Sequence, residues 1–305
     1  MNVVTGAFGY IGRYITRRLL EQGESVKTIT THPHKPNPFG QAVQAELLDF
    51  DHPEAITRAL DGASTLYNTY WIRFPYAGAT FEQAVENTAS LFRCASQAGV
   101  RRIIHISVTN ASLASSLPYY RGKAQQEQAL AACGVPYAIV RPTLVFGRED
   151  ILVNNIAWLM RKFPLFPVFG SGNYRLQPVY VDDLAQIAIA SAAESRSITL
   201  DALGSESFTF KQFVRLMISH IKPGLPLVHL PPGLGITLGR LIGLALGDII
   251  LTQDELQGLM DEMLTSTQAA NGATRFSDWL AVHKDTVGTS YSSEVKRHFA
   301  WKPPN

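Results

Sequence analysis

The first part of the chain, up to about residue 140, alternates short apolar runs with amphipathic stretches. Strands covered on both faces form continuous runs rich in Val and Ile, whereas helices packed on a sheet repeat apolar residues every three or four positions. Strands that alternate with helices predict βαβ units and an α/β fold with a doubly wound parallel sheet. Six runs have the strand pattern: 2–4, 25–30, 43–48, 65–68, 102–107 and 137–140.

The stretches between these runs carry helix signals. In the first of them, Ile11, Ile15 and Leu19 recur at a spacing of four, and Gly23 follows as a stop signal. A later amphipathic stretch ends in the same way before Gly99. The first part of the chain therefore has the helices that a parallel sheet needs.

The pattern changes after about residue 145, where Pro and Gly cluster at 162–172 and 222–235. Such clusters mark loops and turns. We therefore divide the chain into a core region, 1–145, and a mixed region, 146–305, which completes the core and forms a smaller, mainly helical substrate cap beside a cleft. Helical patterns in the mixed region occupy 183–193, 209–221, 254–264 and 292–299.

One segment of the mixed region, 231–251, is strongly apolar and contains only Arg240 and Asp248 as charged residues. A membrane-spanning helix needs about 20 predominantly apolar residues and rarely carries a charge near its centre. Pro231 and Pro232 at the start, with Arg240 in the middle, argue against a span. The pattern favours a buried or pocket-lining helix, and an interfacial helix that touches a membrane or a partner is the alternative.

Composition and charge exclude several classes of protein. The 305 residues are 46% hydrophobic, and the 27 basic and 25 acidic residues are mixed along the chain. Nucleic-acid binding requires a clustered basic surface, so we expect no nucleic-acid partner. Cys94 and Cys133 indicate neither a disulfide framework nor a metal cluster, and the histidines lack metal-ligand spacing. With no export signal visible, the sequence predicts a cytoplasmic protein.

The first predicted strand ends in a glycine-rich turn. Gly6, Gly9 and Gly12 recur at a spacing of three, between an apolar strand and an amphipathic helix. Such a turn uses one glycine for the bend, one for close approach to a pyrophosphate and one for packing of the helix on the strand. The N–H groups at the start of the helix then bind the anion. This context predicts a dinucleotide-binding site.

The end of the second predicted strand distinguishes the two nicotinamide dinucleotides. NAD sites place Asp or Glu about 20 residues after the glycines, where the carboxylate binds the ribose 2′-hydroxyl. Here Thr30, Thr31 and His32 occupy that position, and Arg13 and Lys35 are nearby cations. The sequence therefore favours NADP(H) over NAD(H).

Together these motifs resemble the short-chain dehydrogenase/reductase superfamily, especially its extended and atypical members, the NAD-dependent epimerase/dehydratase-like and NmrA-like proteins. TGAFGYIG at 5–12 looks like the family's glycine turn, and VRPTLVFG at 140–147 has its Arg-Pro pair. LLDFD at 47–51 places Asp49 like the family's adenine-contacting acid. The segment 170–185 is similar to one in the branch that contains the nucleotide-binding accessory subunit of respiratory complex I.

The resemblance implies a Rossmann-type sheet and a set of cofactor contacts around it. It places these contacts at Gly6, Phe8, Gly9, Tyr10, Ile11, Gly12, Arg13, Thr31, Leu48, Asp49, Thr69, Lys123 and Pro142.

A YxxxK pair, Tyr119 and Lys123, follows the fifth predicted strand. The four-residue spacing puts both side chains on one face of a helix. In the family's mechanism, as the resemblance implies, the tyrosine exchanges a proton with the substrate oxygen and the lysine binds the nicotinamide ribose. Ser107, with Thr109 as the alternative, is predicted to hold the substrate oxygen.

The sequence thus predicts an NADP(H)-dependent oxidoreductase that transfers hydride to or from a carbonyl or alcohol carbon of a small molecule. Two alternatives stay open: an NAD(P)H-binding sensor or assembly protein without turnover, and a nucleotide-sugar epimerase or dehydratase. Trp71 and the aromatic residues after it are predicted to be core or pocket walls. Asp182 and Asp183 precede a helical run, where acids cap the helix or complement its dipole.

Overall fold

The computed structural model describes residues 1–299, and these form two compact units. The first unit comprises Met1–Pro142 and Val181–Ala202. The second comprises Thr143–Tyr180 and the described residues from Leu203 onward. Residues 300–305, at the end of the predicted mixed region, lie outside the described residues.

The first unit begins with alternating strands and helices. They are β1 (Asn2–Thr5), α1 (Tyr10–Glu21), β2 (Val26–Thr30), β3 (Val43–Leu47), α2 (Pro53–Ala59), β4 (Thr65–Asn68), α3 (Phe81–Gln97), β5 (Arg102–Ile106), α4 (Pro118–Ala132) and β6 (Tyr137–Pro142). All six predicted strands are confirmed, with ends that differ by at most two residues.

The rest of the chain passes through both units. In the second unit it forms β7 (Leu144–Phe146), α5 (Leu152–Lys162), β8 (Phe166–Phe169), β9 (Arg175–Leu176) and β10 (Pro178–Tyr180). It returns to the first unit with α6 (Val181–Ala190) and β11 (Ile198–Ala202). It ends in the second unit with β12 (Phe208–Thr209), α7 (Phe210–Ile221), β13 (Leu227–Leu230), α8 (Pro232–Leu246), α9 (Gln253–Met260), α10 (Phe276–His283) and α11 (Glu294–His298).

A parallel sheet organises the first unit. Among the described residues it has seven strands in the order β11-β6-β5-β4-β1-β2-β3. Because β1 has β2 on one side and β4 on the other, the strand order reverses beside β1. In such open sheets ligands bind beyond the carboxyl ends of the strands at the reversal point. The predicted Rossmann-type fold is confirmed, and β11, which pairs with β6, is a strand that the sequence analysis did not identify.

Apolar side chains on the central strands form the core of this unit. Val3, Ile29, Leu66 and Ile103 are completely buried, and Phe92 of α3 packs in the same cluster. Burial of one such side chain contributes about 1.5–3 kcal/mol to stability. The cluster explains why these strands read as continuous apolar runs.

Asp182 joins two helices of the first unit. Its carboxylate accepts hydrogen bonds from Nε and Nη2 of Arg18 at 2.8 Å each, and from Nη2 of Arg17 at 3.1 Å. The hydrogen bond to Asp182 raises the pKa of Arg18. Asp182 lies in the first turn of α6, where an acid complements the helix dipole, and its bonds to the two arginines tie this turn to α1.

The second unit has a separate aromatic core and shorter strands. Phe146, Phe213 and Phe276 are almost completely buried in it, and Trp279 of α10 packs against Phe146. Strand β7 pairs with β10 and β8 with β13 in parallel, while β9 pairs with β12 in antiparallel orientation. The helical patterns predicted in the mixed region are confirmed as α6, α7, α9 and α11, although α9 ends at Met260.

Helix α8 differs from the prediction. In this helix Gly235 and Gly243 are buried, whereas the leucines at 234, 238, 241 and 244 are exposed. A Cβ on Gly235 would lie 2.1 Å from the ring of Phe169, so it is the glycine face that contacts the unit. The interpretation of 231–251 as a buried or pocket-lining helix is therefore wrong. No helix in the described part of the chain is long and apolar enough to cross a membrane.

Candidate functional site

The glycine turn connects β1 to α1. Gly6 has φ +63°, a backbone conformation that glycine adopts without the strain a side chain would bring. A Cβ on Gly12 would lie 2.4 Å from the carbonyl oxygen of Gly6, and a Cβ on Gly9 would lie 3.1 Å from the same oxygen. Gly12 therefore allows α1 to pack on the turn, and a side chain at Gly9 would press against the Gly6 carbonyl oxygen.

The start of α1 fits an anionic group. Its first turn has no acidic residue, and no side chain of the described residues caps it at Gly9. The backbone N–H of Arg13 bonds back to the Gly9 carbonyl, at 3.2 Å, and that of Gly9 to the Gly6 carbonyl, at 2.8 Å, so the N–H groups of Ile11 and Gly12 lie in the first turn of the helix. The Arg13 guanidinium donates to the Phe8 carbonyl at 3.3 Å. This cradle and its positive dipole suit the pyrophosphate of a dinucleotide.

The structure brings most of the predicted cofactor residues to one edge of the sheet. Because all the strands are parallel, residues that end or directly follow them share the carboxyl edge. The residues placed there are the glycine turn after β1, Thr31 after β2, Leu48 and Asp49 after β3, Thr69 after β4, Ser107 after β5 and Pro142 at the end of β6.

Asp49 lies at the far end of this edge and is ionised. Its carboxylate accepts from Nδ1 of His52 at 2.9 Å and from the backbone N–H of Asp51 at 3.0 Å. The hydrogen bond from His52 lowers the pKa of Asp49, and the backbone bond adds to the effect. Asp49 lines a surface pocket together with Leu48 and Asn87. It can therefore accept a hydrogen bond from a ligand's amino group.

No carboxylate stands beyond the end of β2. Thr31 is exposed, and the sequence from 31 to 45 contains neither Asp nor Glu. The next acid, Glu46, faces Ile29 across the strand pair and accepts from the Lys27 ammonium at 2.9 Å. The edge therefore lacks the acid that a 2′-hydroxyl site uses, and Glu46 is occupied by its own ion pair.

Ser107 is part of a buried charged cluster. Its hydroxyl donates to Oε1 of Glu127 at 2.5 Å, and the same oxygen accepts from Nε of Arg141 at 2.8 Å. Nη2 of Arg141 bonds the other carboxylate oxygen, and the side-chain hydrogen bond to Glu127 raises the pKa of Arg141. A hydroxyl has one proton, so while Glu127 accepts it, Ser107 offers its lone pairs to a ligand.

Lys123 is buried beneath Trp71. The side chain of Lys123 is 3% exposed, its ammonium donates to the Ile106 carbonyl at 3.0 Å, and it lies 4.8 Å from the centre of the Trp71 ring. A Cβ on Gly122 would approach this ring to 2.8 Å, so Gly122 makes room for the indole. Burial lowers the pKa of Lys123 to about 7, against the opposing effect of Glu127.

Tyr119 is half-buried in an aromatic cluster. Its ring meets Trp71 edge-on at 5.8 Å and Phe81 edge-on at 6.1 Å, and Trp71 stacks on Phe81 at 5.4 Å. These contacts fix the ring of Tyr119 on the same helix as Lys123, one turn before it. The predicted pair thus shares one helix, with the tyrosine nearer to solvent than the lysine.

A buried polar chain joins the turn to β5. The Thr69 hydroxyl donates to the Thr5 carbonyl at 2.7 Å, and the Thr69 N–H donates to the Thr5 hydroxyl at 2.7 Å. Asn68 accepts from the N–H of Tyr70, which fixes its amide orientation, and donates to Nδ1 of His105 at 3.0 Å. Burial, and then the charge of Lys123, lower the pKa of His105. His105 is therefore neutral with its proton on Nε2.

Glu127 and the position of Trp71 over Lys123 were not predicted from the sequence. A signal for Glu127 was present, because it follows Lys123 by four residues and therefore lies on the same helix face. No comparable signal pointed to Trp71 above Lys123. That contact depends on the packing of α4 against the segment after β4.

The chain is similar to several groups of known proteins. The family model described as "NAD dependent epimerase/dehydratase family" matches residues 2–200. A relative from Arabidopsis thaliana, "NADH dehydrogenase [ubiquinone] 1 alpha subcomplex subunit 9, mitochondrial", is 26% identical over 239 residues, which are 75% of this chain and 60% of the relative. The chain thus spans less than two thirds of that relative's length.

Two solved structures have the same fold. An NADPH-dependent quinone oxidoreductase from Escherichia coli, in complex with NADPH, has a TM-score of 0.74 and 20% identity and covers 93% of this chain and 99% of its own. A UDP-glucuronic acid 4-epimerase from Bacillus cereus, in complex with NAD, has a TM-score of 0.64 and 19% identity, with 76% and 88% covered.

Proposed function

The chain belongs to the NAD dependent epimerase/dehydratase family, and from this premise we propose that it is an NADP(H)-dependent oxidoreductase acting on a carbonyl or alcohol group of a small molecule. One observation carries the proposal. The glycine turn, Ser107 and the helix with Tyr119 and Lys123 belong to one unit, and the strands lead the first two to one edge of its sheet.

The glycine turn and the start of α1 hold the pyrophosphate, because the N–H groups of the first helical turn and the helix dipole favour an anion there. Asp49 accepts from the adenine amino group at the far end of the edge. The absence of a carboxylate after β2, with Arg13 at the turn, favours a 2′-phosphate over a 2′-hydroxyl. The quinone oxidoreductase of the same fold is named as an NADPH complex, which supports this preference.

The nicotinamide supplies hydride chemistry when it is bound. Tyr119 moves a proton between its phenolic oxygen and the substrate oxygen, since it is the half-exposed member of the pair. Ser107 accepts a hydrogen bond through its oxygen, because its own proton is held by Glu127. Glu127 and Arg141 position Ser107, and the Trp71 indole excludes water from Lys123.

The cofactor preference is tested by calorimetric titration of the purified protein with NADPH and with NADH. We expect tighter binding of NADPH. Arg13→Ala should weaken NADPH binding about fivefold to tenfold and leave NADH unchanged, because it removes about one charge-assisted contact. Arg17→Ala is the matched control, as this exposed arginine lies one turn further along α1. Equal affinities for the two nucleotides would refute the NADP(H) assignment.

Turnover is tested by NADPH oxidation against quinones, aldehydes and ketones. Tyr119→Phe should lower the rate by about 100-fold to 10,000-fold with NADPH affinity retained, because it deletes only the phenolic oxygen. Tyr120→Phe is the matched control, since its neighbouring ring is buried and does not share the helix face of Lys123. Full activity of Tyr119→Phe would refute its catalytic role.

A second candidate function, nucleotide binding without turnover, is favoured by the state of Lys123. A lysine that is buried under an indole with a pKa of about 7 loses its charge as the pH rises above neutrality. It then stabilises a phenolate of Tyr119 less than a charged ammonium would. The Arabidopsis relative is named as a subunit of NADH dehydrogenase, which suits a sensor or assembly role for a chain of this family.

The charge of Lys123 is tested by urea unfolding at several pH values. The unfolded chain keeps the lysine proton up to its ordinary pKa of about 10.4, whereas the folded chain loses it from about pH 7. The unfolding free energy should therefore rise between these values, by up to about 1.4 kcal/mol per pH unit. Lys123→Met should remove this rise. Parallel pH profiles for the two proteins would mean that Lys123 stays charged in the fold.

A further inference from the structure

Helix α8 presents its apolar side outward. Leu234 is 58% exposed, Leu238 37%, Leu241 60% and Leu244 80%. At 3.6 residues per turn the residues at 234, 238, 241 and 245 share one face, with 244 at its margin. A surface helix normally buries such a stripe, whereas α8 exposes it and buries Gly235 and Gly243.

The opposite face of α8 is already used. Gly235, Gly239 and Gly243 form a stripe at a spacing of four, and a Cβ on the first would strike the Phe169 ring while a Cβ on the last would come within 2.6 Å of the Asp248 carbonyl. This close approach holds the helix against its own unit and fixes the leucines on the outside. The exposed leucines of α8 therefore belong to the surface of the second unit.

The stretch of chain that includes α8 carries charges of one sign. The sequence from 207 to 247 contains Lys211, Arg215, Lys222 and Arg240 and neither Asp nor Glu, although the whole chain has a net charge of only +2. Arg240 is exposed at the margin of the leucine face. The next acid, Asp248, is turned away to the start of α11, where it accepts from the N–H groups of Glu294 and Val295.

We propose that α8 lies in the surface of an anionic lipid bilayer, with Leu234, Leu238, Leu241 and Leu244 among the acyl chains and Arg240 at the phosphate level. Interfacial helices combine one apolar face with flanking basic residues, and both features are present here. The positive segment matches a negatively charged headgroup layer, and a long arginine side chain reaches it from the edge of the apolar face.

The experiment is cosedimentation of the full chain with vesicles of phosphatidylcholine alone and of equal parts phosphatidylcholine and phosphatidylglycerol. Wild type should bind the anionic vesicles at least about tenfold more tightly, since each basic residue near such a surface adds about 1 kcal/mol. Leu241→Ser should reduce the affinity about tenfold, and Arg240→Gln about fivefold. Raising the salt concentration should weaken the wild-type binding.

Val282→Ser is the matched control. Val282 is 77% exposed on α10, but Asp278 is exposed one turn before it on the same face, so we expect no change in vesicle binding. Thermal unfolding of each variant checks that the fold is retained, which an exposed position should allow.

Three results of the vesicle experiment would overturn the proposal. These are no binding of wild type to anionic vesicles, equal binding of folded Leu241→Ser and wild type, and equal loss with folded Val282→Ser. Light scattering provides an independent reading. A dimer that Leu241→Ser dissociates would show that a second copy of the chain covers the leucine face instead of lipid.

Discussion

Two helices of this protein are each positioned by a set of three evenly spaced glycines, and the two sets serve opposite purposes. In the turn before α1 they stand at a spacing of three, where Gly6 bends the chain and Gly12 lets the helix start against the bend. In α8 they stand at a spacing of four and form one side of the helix, which touches Phe169. Glycine at the end of a helix opens backbone groups to a ligand, whereas glycine along its side brings the helix close to its own unit.

The position of the glycines also decides whether the apolar residues of each helix are buried. In α1 the residues Ile15 and Leu19 are buried against the sheet, because the glycines occupy only the first turn. In α8 the inner side is occupied by Gly235 and Gly243, so the leucines are left outside. The first helix serves a ligand at its end, and the second offers a surface along its length.

Substitutions in the glycine turn before α1 are expected to have the largest effects on stability and on nucleotide binding. Gly12→Val would place its Cβ 2.4 Å from the Gly6 carbonyl oxygen, with that oxygen fixed by the backbone. We expect a loss of about 3 kcal/mol in unfolding free energy and no measurable nucleotide binding. Urea unfolding and calorimetry measure the two effects. Wild-type stability of this variant would show that the turn rearranges freely.

Gly9→Val separates ligand approach from packing. The new Cβ would stand 3.1 Å from the Gly6 carbonyl oxygen, and the branched side chain would fill the space above the bend. We expect at least about a 100-fold loss of NADPH affinity, or roughly 2.7 kcal/mol, while circular dichroism shows an intact sheet. Unchanged affinity in the folded variant would mean that the bend does not hold a dinucleotide.

Gly235→Ala tests whether the glycines along the side of α8 hold the helix close to its unit. Its Cβ would lie 2.1 Å from the Phe169 ring, so either the ring or the helix must move. We expect a loss of about 1–3 kcal/mol in unfolding free energy, measured by urea unfolding. A neutral result would show that α8 is not held close to Phe169.

Gly239→Ala is the matched variant with the smallest effect. Its Cβ would lie 3.9 Å from Leu251, an ordinary contact distance, and alanine favours a helix more than glycine does. We expect a gain of about 0.5–1 kcal/mol in unfolding free energy in the same assay. A loss of unfolding free energy would mean that α8 is also packed closely at Gly239.

The strands of the first unit differ in how clearly the sequence indicates them. The inner strands have apolar runs, with Val3 and Ile103 completely buried, and β3 at one edge of the sheet was predicted although only Val43 in it is buried. Strand β11 lies at the edge of the sheet, and its sequence, ITLDA, has the exposed Thr199 and the acid Asp201. It becomes a strand by pairing with β6, about 60 residues earlier in the chain, and local periodicity does not report such a partner.

In the candidate site, the local motifs were predicted from the sequence and the contacts between distant residues were not. Gly6, Gly9 and Gly12 were identified from sequence because a phosphate-binding turn is a local structure with fixed spacing. The link of Ser107 to Glu127, and the cover of Trp71 over Lys123, join residues 20 and 52 positions apart. Helix packing creates these contacts, so spacing along the chain did not predict them.

By itself the sequence determined the alternation of strands and helices, the glycine turn and the spacing of leucines and glycines along α8, because each depends on residues within a few turns of one another. The tertiary structure alone decided which side of α8 faces inward. A hydrophobic pattern assigns leucines to the interior, but Phe169 and the Asp248 carbonyl leave room only for glycine at 235 and 243, and Leu234, Leu238, Leu241 and Leu244 are exposed.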